Sequence, residues 1–171
     1  MSAATLIRLG GLAAMLAGAL RLAASFIPYS NSNVKLELLY LIIDVLLLLG
    51  LLGIYAYQHE QAGKLGFAGF LPALIGTASI IGPDGKLGEV DLYVAGSLLI
   101  SLGLCVFSLG IWRAKTLPNA VPLCWIASTV IGIGGFLVNG PPVTFLLAGV
   151  AFGLGFVLAG GKIWSDPVLR K

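Results

Sequence analysis

Apolar residues fill six long stretches of this chain, and a short polar connector separates each stretch from the next. The hydrocarbon core of a bilayer is about 30 Å thick, so a helix needs about 20 apolar residues to cross it. The pattern predicts an all-α polytopic membrane protein, a single domain over residues 1–171 built as a bundle of six transmembrane helices. The predicted spans are Leu6–Ile27, Leu36–Tyr57, Leu65–Ile81, Leu92–Trp112, Val121–Val138 and Val143–Ile163.

The connectors are rich in turn-forming residues, most clearly the Pro-Asp-Gly sequence at residues 83–85. The third and fifth spans are short, and we expect Pro72 and Pro122 near their starts, where a missing N–H has no cost. The sequence LYLIIDVLLLLGL from Leu39 resembles LYVAGSLLISLGL from Leu92, and PALIGTASIIG from Pro72 resembles PLCWIASTVIG from Pro122. The second and third helices therefore resemble the fourth and fifth. Two explanations of this likeness stay open: internal duplication, and chance similarity between apolar sequences.

Composition supports a membrane protein and leaves little sequence for a soluble domain. The chain of 171 residues is 58% hydrophobic and 10% charged, whereas soluble domains carry about 25% charged residues. The net charge of +3 does not indicate nucleic-acid binding, because the basic residues stand singly at helix ends, where they act as orientation signals.

The basic residues favour one side of the membrane. The side that carries both termini has Arg8, Lys64, Arg113, Lys115, Lys162, Arg170 and Lys171, and the other side has Lys35 and Lys86. The positive-inside rule then predicts a protein of the cell (inner) membrane with both termini in the cytoplasm.

The clearest candidate site is a set of polar residues inside apolar stretches: Arg21, Glu37, Tyr40 and Asp44. A carboxylate in the middle of a span costs roughly 2.5–3.5 kcal/mol on insertion scales. At a rise of 1.5 Å per residue, Asp44 lies about 12 Å below Leu36, and Arg21 lies at a similar depth on the preceding helix. We therefore expect the two charges within salt-bridge distance, directly or through one water, and Tyr40 can donate a hydrogen bond to the carboxylate.

Three interpretations of this polar site remain open from the sequence. The pair of charges is a structural clamp between two helices, or it is a substrate or proton site in a cavity open to the outside. In the third, Arg21 snorkels outward and Asp44 is either protonated or paired with a partner protein.

Small residues recur on single faces of several helices. Such faces let helix backbones approach closely in lipid, either within one chain or between copies of a chain. The residues concerned are Gly11 and Gly18 in the first helix, Gly96, Gly103 and Gly110 in the fourth, and Gly149 and Gly153 in the sixth. They predict helix packing, and the sequence leaves an oligomer interface open beside packing within the chain.

Nothing in the sequence predicts a catalytic set, a cofactor or a metal site. His59 is the one histidine and lies at the opposite end of its span from Asp44. Cys105 and Cys124 lie in apolar stretches without a CxxC pair. We expect the hydroxyl residues of the short spans to bond to their own helix backbone; these are Thr77, Ser79, Ser128 and Thr129.

The stretches LLGLLGIYAYQHEQAGKLGFAGFLPALIGTAS and SLLISLGLCVFSLGIWRAKTLPN are similar to small uncharacterised bacterial membrane proteins with several helices. The shared features are a tyrosine-rich helix end, a short AGKLG turn and a later RA…LP turn. The predicted architecture of six helices in hairpins also resembles that of HdeD-like acid-resistance membrane proteins. The resemblance implies an architecture and no activity.

The leading functional hypothesis is a protein that acts by association rather than by catalysis. It would be a small subunit or scaffold of a membrane complex, or a homo-oligomer, with the lipid bilayer and other membrane subunits or itself as partners and no nucleic acid. The alternative is a small transporter or channel that uses Arg21 and Asp44, and a third possibility is an enzyme acting on lipids. A water-filled cavity at Asp44 would favour transport.

Overall fold

A computed structural model describes residues 2–27, 33–81 and 85–170 of the chain. The predicted turn at residues 83–84, most of the first connector and Lys171 lie outside these residues. The described part is all-helical apart from one short hairpin, which confirms the all-α part of the predicted fold class. Its helices are α1 (Ala3–Ala24), α2 (Val34–Ile80), α3 (Leu92–Ala114), α4 (Ala120–Leu137), α5 (Pro142–Ser165) and a 3₁₀ helix (Pro167–Arg170), and strands β1 (Lys86–Leu87) and β2 (Val90–Asp91) pair between α2 and α3. These strands were not predicted from the sequence.

Short polar side chains fix where three of the helices begin. The side-chain oxygens of Ser2, Asn33 and Asp91 each accept a hydrogen bond from a backbone N–H two or three residues further along, at 3.2, 3.1 and 3.0 Å. These bonds satisfy donors that have no partner inside the first turn of a helix. Pro122 lies in the first turn of α4 as predicted, whereas Pro72 lies in the interior of α2 and not in a first turn.

The helix α2 contains the predicted second and third spans and reverses direction at Gly63. The backbone of Gly63 has φ 56° and ψ −152°, a conformation open to glycine and to few other residues. The ring centroids of Tyr55 and Phe70 lie 4.0 Å apart, although fifteen residues of a straight helix would separate them by about 22 Å. We call residues 34–62 the first arm and residues 64–80 the second arm.

The helical segments pack side by side in chain order, and α5 returns to α1. The α1 helix packs on the first arm, as Gly10 beside Gly53 shows, and the second arm packs on α3. Gly11 near the start of α1 lies against Ile163 near the end of α5. Both chain ends, together with Gly63, therefore lie at one end of the bundle, which we call the termini end.

The predicted small-residue faces of the first and sixth spans meet each other. A Cβ atom at Gly11 would lie 2.7 Å from the nearest side-chain atom of Ile163, and one at Gly149 would lie 2.7 Å from Ser25 Oγ. Gly18 and Gly153 face each other's carbonyl oxygens in the same contact. Only small residues allow α1 and α5 to approach this closely.

The glycines spaced by seven residues on α3 face the second arm of α2. A Cβ atom at Gly110 would lie 2.8 Å from the Cα of Gly66, and one at Gly96 would lie 2.6 Å from a side-chain carbon of Ile80. Gly103 lies directly against the backbone of Ala73. These faces are therefore in contact within the chain.

Aromatic rings fill the interior between the helices. Tyr55 stacks on Phe70, Phe107 lies 6.3 Å from Phe70 and 6.2 Å from Trp125, and Trp125 lies 5.0 Å from Phe156, as measured between ring centroids. Both arms of α2, α3, α4 and α5 contribute to this row. Rings of this size supply much of the buried area of a core.

The hydroxyl residues of the short spans bond as predicted in three cases of four. Thr77 and Ser79 donate to carbonyl oxygens one turn earlier in α2, each at 2.8 Å. Thr129 donates to its own helix at 2.9 Å and also to α3 at 2.8 Å. The prediction is wrong for Ser128, which donates to the carbonyl of Ala148 in α5 at 2.8 Å. The packing of α4 on α5 brings that acceptor within reach.

Candidate functional site

The residues of the predicted polar site lie where α1 leads into α2, at the end of the bundle away from the termini. Ala14 lies beside Gly50, where a Cβ atom on the glycine would be 2.6 Å from the Cα of the alanine. The two helices are antiparallel, so seven residues after Ala14 in α1 correspond in height to seven residues before Gly50 in the first arm. Arg21 is therefore at the height of position 43, one residue from Asp44. The two charges are therefore at nearly the same level, as the sequence predicted.

The predicted direct ion pair between Arg21 and Asp44 does not form in the structure. Among the described residues the only ion pair joins Lys162 and Asp166, and no guanidinium nitrogen of Arg21 comes within 4.0 Å of the Asp44 carboxylate. The guanidinium carbon of Arg21 lies 5.7 Å from the ring centroid of Tyr40, a cation–π distance. A contact between Arg21 and Asp44 through one water stays a prediction.

The rotation of the first arm explains why the pair does not form. Asp44 and Tyr55 are eleven residues apart, close to three full turns, so they lie on the same face. Tyr55 faces Phe70 in the second arm, whereas Gly50, six residues from Asp44, faces α1. Asp44 therefore lies to the side of the face of the first arm that contacts α1. Asp44 is half-buried there and makes no hydrogen bond or ion pair with any residue that the structure describes.

Glu37 does not belong to a buried site, which corrects the sequence prediction. It is exposed in the first turn of α2, where a negative charge interacts favourably with the helix dipole. Arg21, Tyr40 and Asp44 are half-buried. The candidate site at this end of the bundle therefore consists of these three residues.

A second polar cluster, at the termini end, was not predicted from the sequence. The hydroxyl of Tyr57 donates to Oδ2 of Asp166 at 2.5 Å, and Nζ of Lys162 lies 3.9 Å from the same oxygen. The hydrogen bond from Tyr57, and then the backbone N–H of Val168, hold the pKa of the Asp166 carboxyl below its usual range. Asp166 therefore carries a negative charge at neutral pH.

The residue after Tyr57 makes a further link at this end. Gln58 is fully buried, and its side-chain oxygen accepts a hydrogen bond from the hydroxyl of Thr116 at 3.0 Å. This bond ties the first arm to the connection between α3 and α4. His59 is exposed and its Nδ1 lies 3.0 Å from the carbonyl oxygen of Ala56 in its own helix. The helix continues past Tyr57, the end of the predicted span.

Two cavities formed by described residues are lined by neither Arg21 nor Asp44. One, of about 320 Å³, lies at the termini end beside Tyr57 and Asp166. The other is a lateral groove of about 490 Å³ between α1 and the first arm, lined by glycine, alanine, leucine and isoleucine.

Comparison with known proteins gives no relative: no family model, no curated protein and no solved structure matches the chain. The fold alone assigns the chain to the class of all-helical proteins. Among the residues that the structure describes, five helices are long and apolar enough to cross a membrane, which is compatible with a membrane protein.

Proposed function

We propose that this chain is an integral protein of the cell membrane with six membrane crossings and both termini in the cytoplasm. It acts by association, as a homo-oligomer or as a small subunit or scaffold of a membrane complex, and not as an enzyme. The reversal at Gly63 supports six crossings, because it divides α2 into two arms that each match one predicted span. The basic residues of the termini end, among them Arg8, Lys64 and Lys162, support the orientation.

The filled interior is the observation on which the association hypothesis depends. The row of rings from Tyr55 to Phe156 occupies the space between the helices, and the small-residue faces hold the helices together around it. A bundle packed in this way presents its outer surface, rather than an internal path, for function. In lipid, contacts between such surfaces form through packing and hydrogen bonding between helices.

We expect copies of the protein, or the protein and another subunit, to remain together after gentle extraction. Two copies with different tags are expressed together, extracted in a mild detergent and purified through one tag. The expected result is recovery of the second tag, or of a defined second chain, in a particle well above the 17.7 kDa of one chain. Copies expressed separately and mixed after extraction serve as the control. A particle that contains one copy and no other chain would contradict association.

A second candidate function is transport. Its support is the lack of a hydrogen bond to Asp44 within the described residues, since neither of the two cavities described above is lined by Asp44. A half-buried carboxylate that has no hydrogen bond within the described residues, at nearly the same level along the helices as Arg21, is typical of ion and proton sites in membranes.

If Asp44 moves protons, purified protein in liposomes will dissipate a pH gradient, and Asp44→Asn will slow this by about tenfold or more because the amide carries no titratable proton. Glu37→Gln is the matched control, since it makes the same kind of change at an exposed position of the same helix. Wild-type flux equal to that of empty liposomes would exclude proton transport.

A further inference from the structure

The hairpin between α2 and α3 has one apolar face and one charged face. Strands β1 and β2 pair Leu87 with Val90 and Lys86 with Asp91. Residues directly opposite each other in an antiparallel pair share a face, and neighbours along a strand point to opposite faces. Leu87 and Val90 therefore lie together on one face, and the opposite charges of Lys86 and Asp91 lie together on the other.

The turn and the base of the hairpin fix this arrangement. Gly88 takes the first of the two turn positions with φ 64°, a conformation that tight hairpin turns use and that favours glycine. At the base, the backbone N–H of Leu92 donates to the carbonyl oxygen of Gly85 at 3.0 Å. Since Leu92 is the first residue of α3, the hairpin is attached to the start of a predicted span without a linker.

The apolar face of the hairpin is uncovered in the described part of the chain. Leu87 is 73% exposed and Val90 is 52% exposed. Full burial of side chains of this kind is worth roughly 1.5–3 kcal/mol each. The pair therefore gains free energy from an apolar surface outside the bundle, if such a surface lies within its reach.

Two exposed aromatic residues of α3 mark where the bilayer begins and ends. Tyr93 lies at the start of α3 and Trp112 near its end, and both are exposed. Tyrosine and tryptophan are enriched at the two membrane–water interfaces. The two positions are 19 residues apart, which corresponds to about 29 Å of helix and matches a hydrocarbon core of about 30 Å. Tyr93 therefore lies at the interface, at the end of the bundle opposite the termini end.

The apolar pair of the hairpin falls within the headgroup layer at that end. A bilayer with its headgroups is about 40–45 Å thick, so each headgroup layer is about 5–8 Å thick. Val90 comes two residues before Leu92, which is about 7 Å in an extended strand, and Leu87 pairs beside it.

We propose that the hairpin is an interfacial anchor whose partner is the phospholipid surface. Leu87 and Val90 insert among the lipids at this end of the bundle, and Lys86 and Asp91 face the water. The anchor fixes the depth at which α3 enters the bilayer, because the hairpin is bonded to the first residue of that helix. The proposal rests on the membrane insertion proposed above.

The anchor is tested with nitroxide spin labels on the full chain in phospholipid liposomes. Cys105 and Cys124 are replaced by alanine, and each hairpin position is labelled through a single cysteine. The labelled variants are Lys86→Cys, Leu87→Cys, Val90→Cys and Asp91→Cys. Oxygen dissolves in the bilayer and a nickel chelate stays in the water, so the ratio of the two accessibilities reports depth. We expect this ratio to be severalfold higher on the apolar face than on the charged face.

A label in the middle of α3 separates failure of the anchor from failure of membrane insertion. Leu102 is 53% exposed, so Leu102→Cys reports the lipid core if α3 crosses the membrane. A high ratio at Leu102→Cys with equal ratios at the four hairpin positions would overturn the anchor and leave membrane insertion standing. A low ratio at Leu102→Cys would overturn membrane insertion and the anchor with it.

A further pair of variants tests whether the apolar side chains hold the hairpin in the lipid. In the labelled Val90→Cys chain, Leu87→Asn removes the apolar neighbour and is expected to lower the ratio severalfold, toward that of Asp91→Cys. Lys86→Asn is the matched control, because it introduces the same side chain on the charged face, and it leaves the ratio unchanged. Both positions are exposed, so neither change disturbs the packing of the bundle. Equal ratios for the two variants would contradict the proposal.

Discussion

Replacing Gly103 with leucine is expected to lower the free energy of unfolding by about 3 kcal/mol, at the upper end of what overpacking usually costs. Gly103 lies where α3 meets the second arm of α2, and a Cβ atom there would overlap the backbone nitrogen of Ala73 and lie 2.9 Å from its Cα. A backbone cannot rotate away as a side chain can. The two helices must therefore separate along the whole glycine face, and the contacts of Gly96 and Gly110 are weakened as well.

The same substitution at Gly134 in α4 is the matched control. No atom lies within 4 Å of a Cβ atom built at Gly134, so Gly134→Leu adds the same side chain without an overlap. Both variants are unfolded in detergent micelles by a denaturant titration, with a thermal melt as a second measurement. Similar losses for both variants would show that the helix contact at Gly103 is not as close as the structure indicates.

The positions of the helices could be predicted from the sequence because the lengths of apolar stretches follow bilayer thickness. The predicted span Leu92–Trp112 falls on α3, Leu92–Ala114, and Val143–Ile163 falls within α5, Pro142–Ser165. The sequence around Gly63 predicts a loop between two helices. In the structure, helical hydrogen bonding continues almost to Gly63 on both sides, and one residue reverses the chain. Polar composition marks a turn, but it does not show how few residues the turn needs.

The polar site at Arg21 and Asp44 could be predicted only in part from the sequence. The similar height of Arg21 and Asp44 along their helices could be predicted, since it depends only on residue counts and on the antiparallel arrangement of the two helices. The direction in which the Asp44 side chain points depends on how the first arm is rotated about its own axis. Small-residue contacts with α1, such as that of Gly50 with Ala14, fix this rotation. The bond between Tyr57 and Asp166 was not predictable, because it joins positions 109 residues apart and no local pattern connects them.

Labelling of single cysteines is expected to place Lys86 on the side of the membrane opposite to Ser2. In a background without Cys105 and Cys124, the variants Ser2→Cys, Glu60→Cys and Lys86→Cys are treated with an impermeant maleimide in right-side-out and inside-out vesicles. Because the chain reverses at Gly63, the first arm returns to the side of Ser2 and the second arm crosses again. Ser2→Cys and Glu60→Cys should therefore react from the cytoplasmic face alone, and Lys86→Cys from the other face alone.

The alternative is that α2 crosses once, which would leave the protein with five crossings. Lys86→Cys would then react from the same side as Ser2→Cys. A straight helix of 47 residues would be about 70 Å long, more than twice the hydrocarbon thickness of a bilayer. It would also separate Tyr55 from Phe70, whose rings stack at 4.0 Å. The labelling pattern of Lys86→Cys thus decides between the two topologies, and reaction from the cytoplasmic side would exclude six crossings.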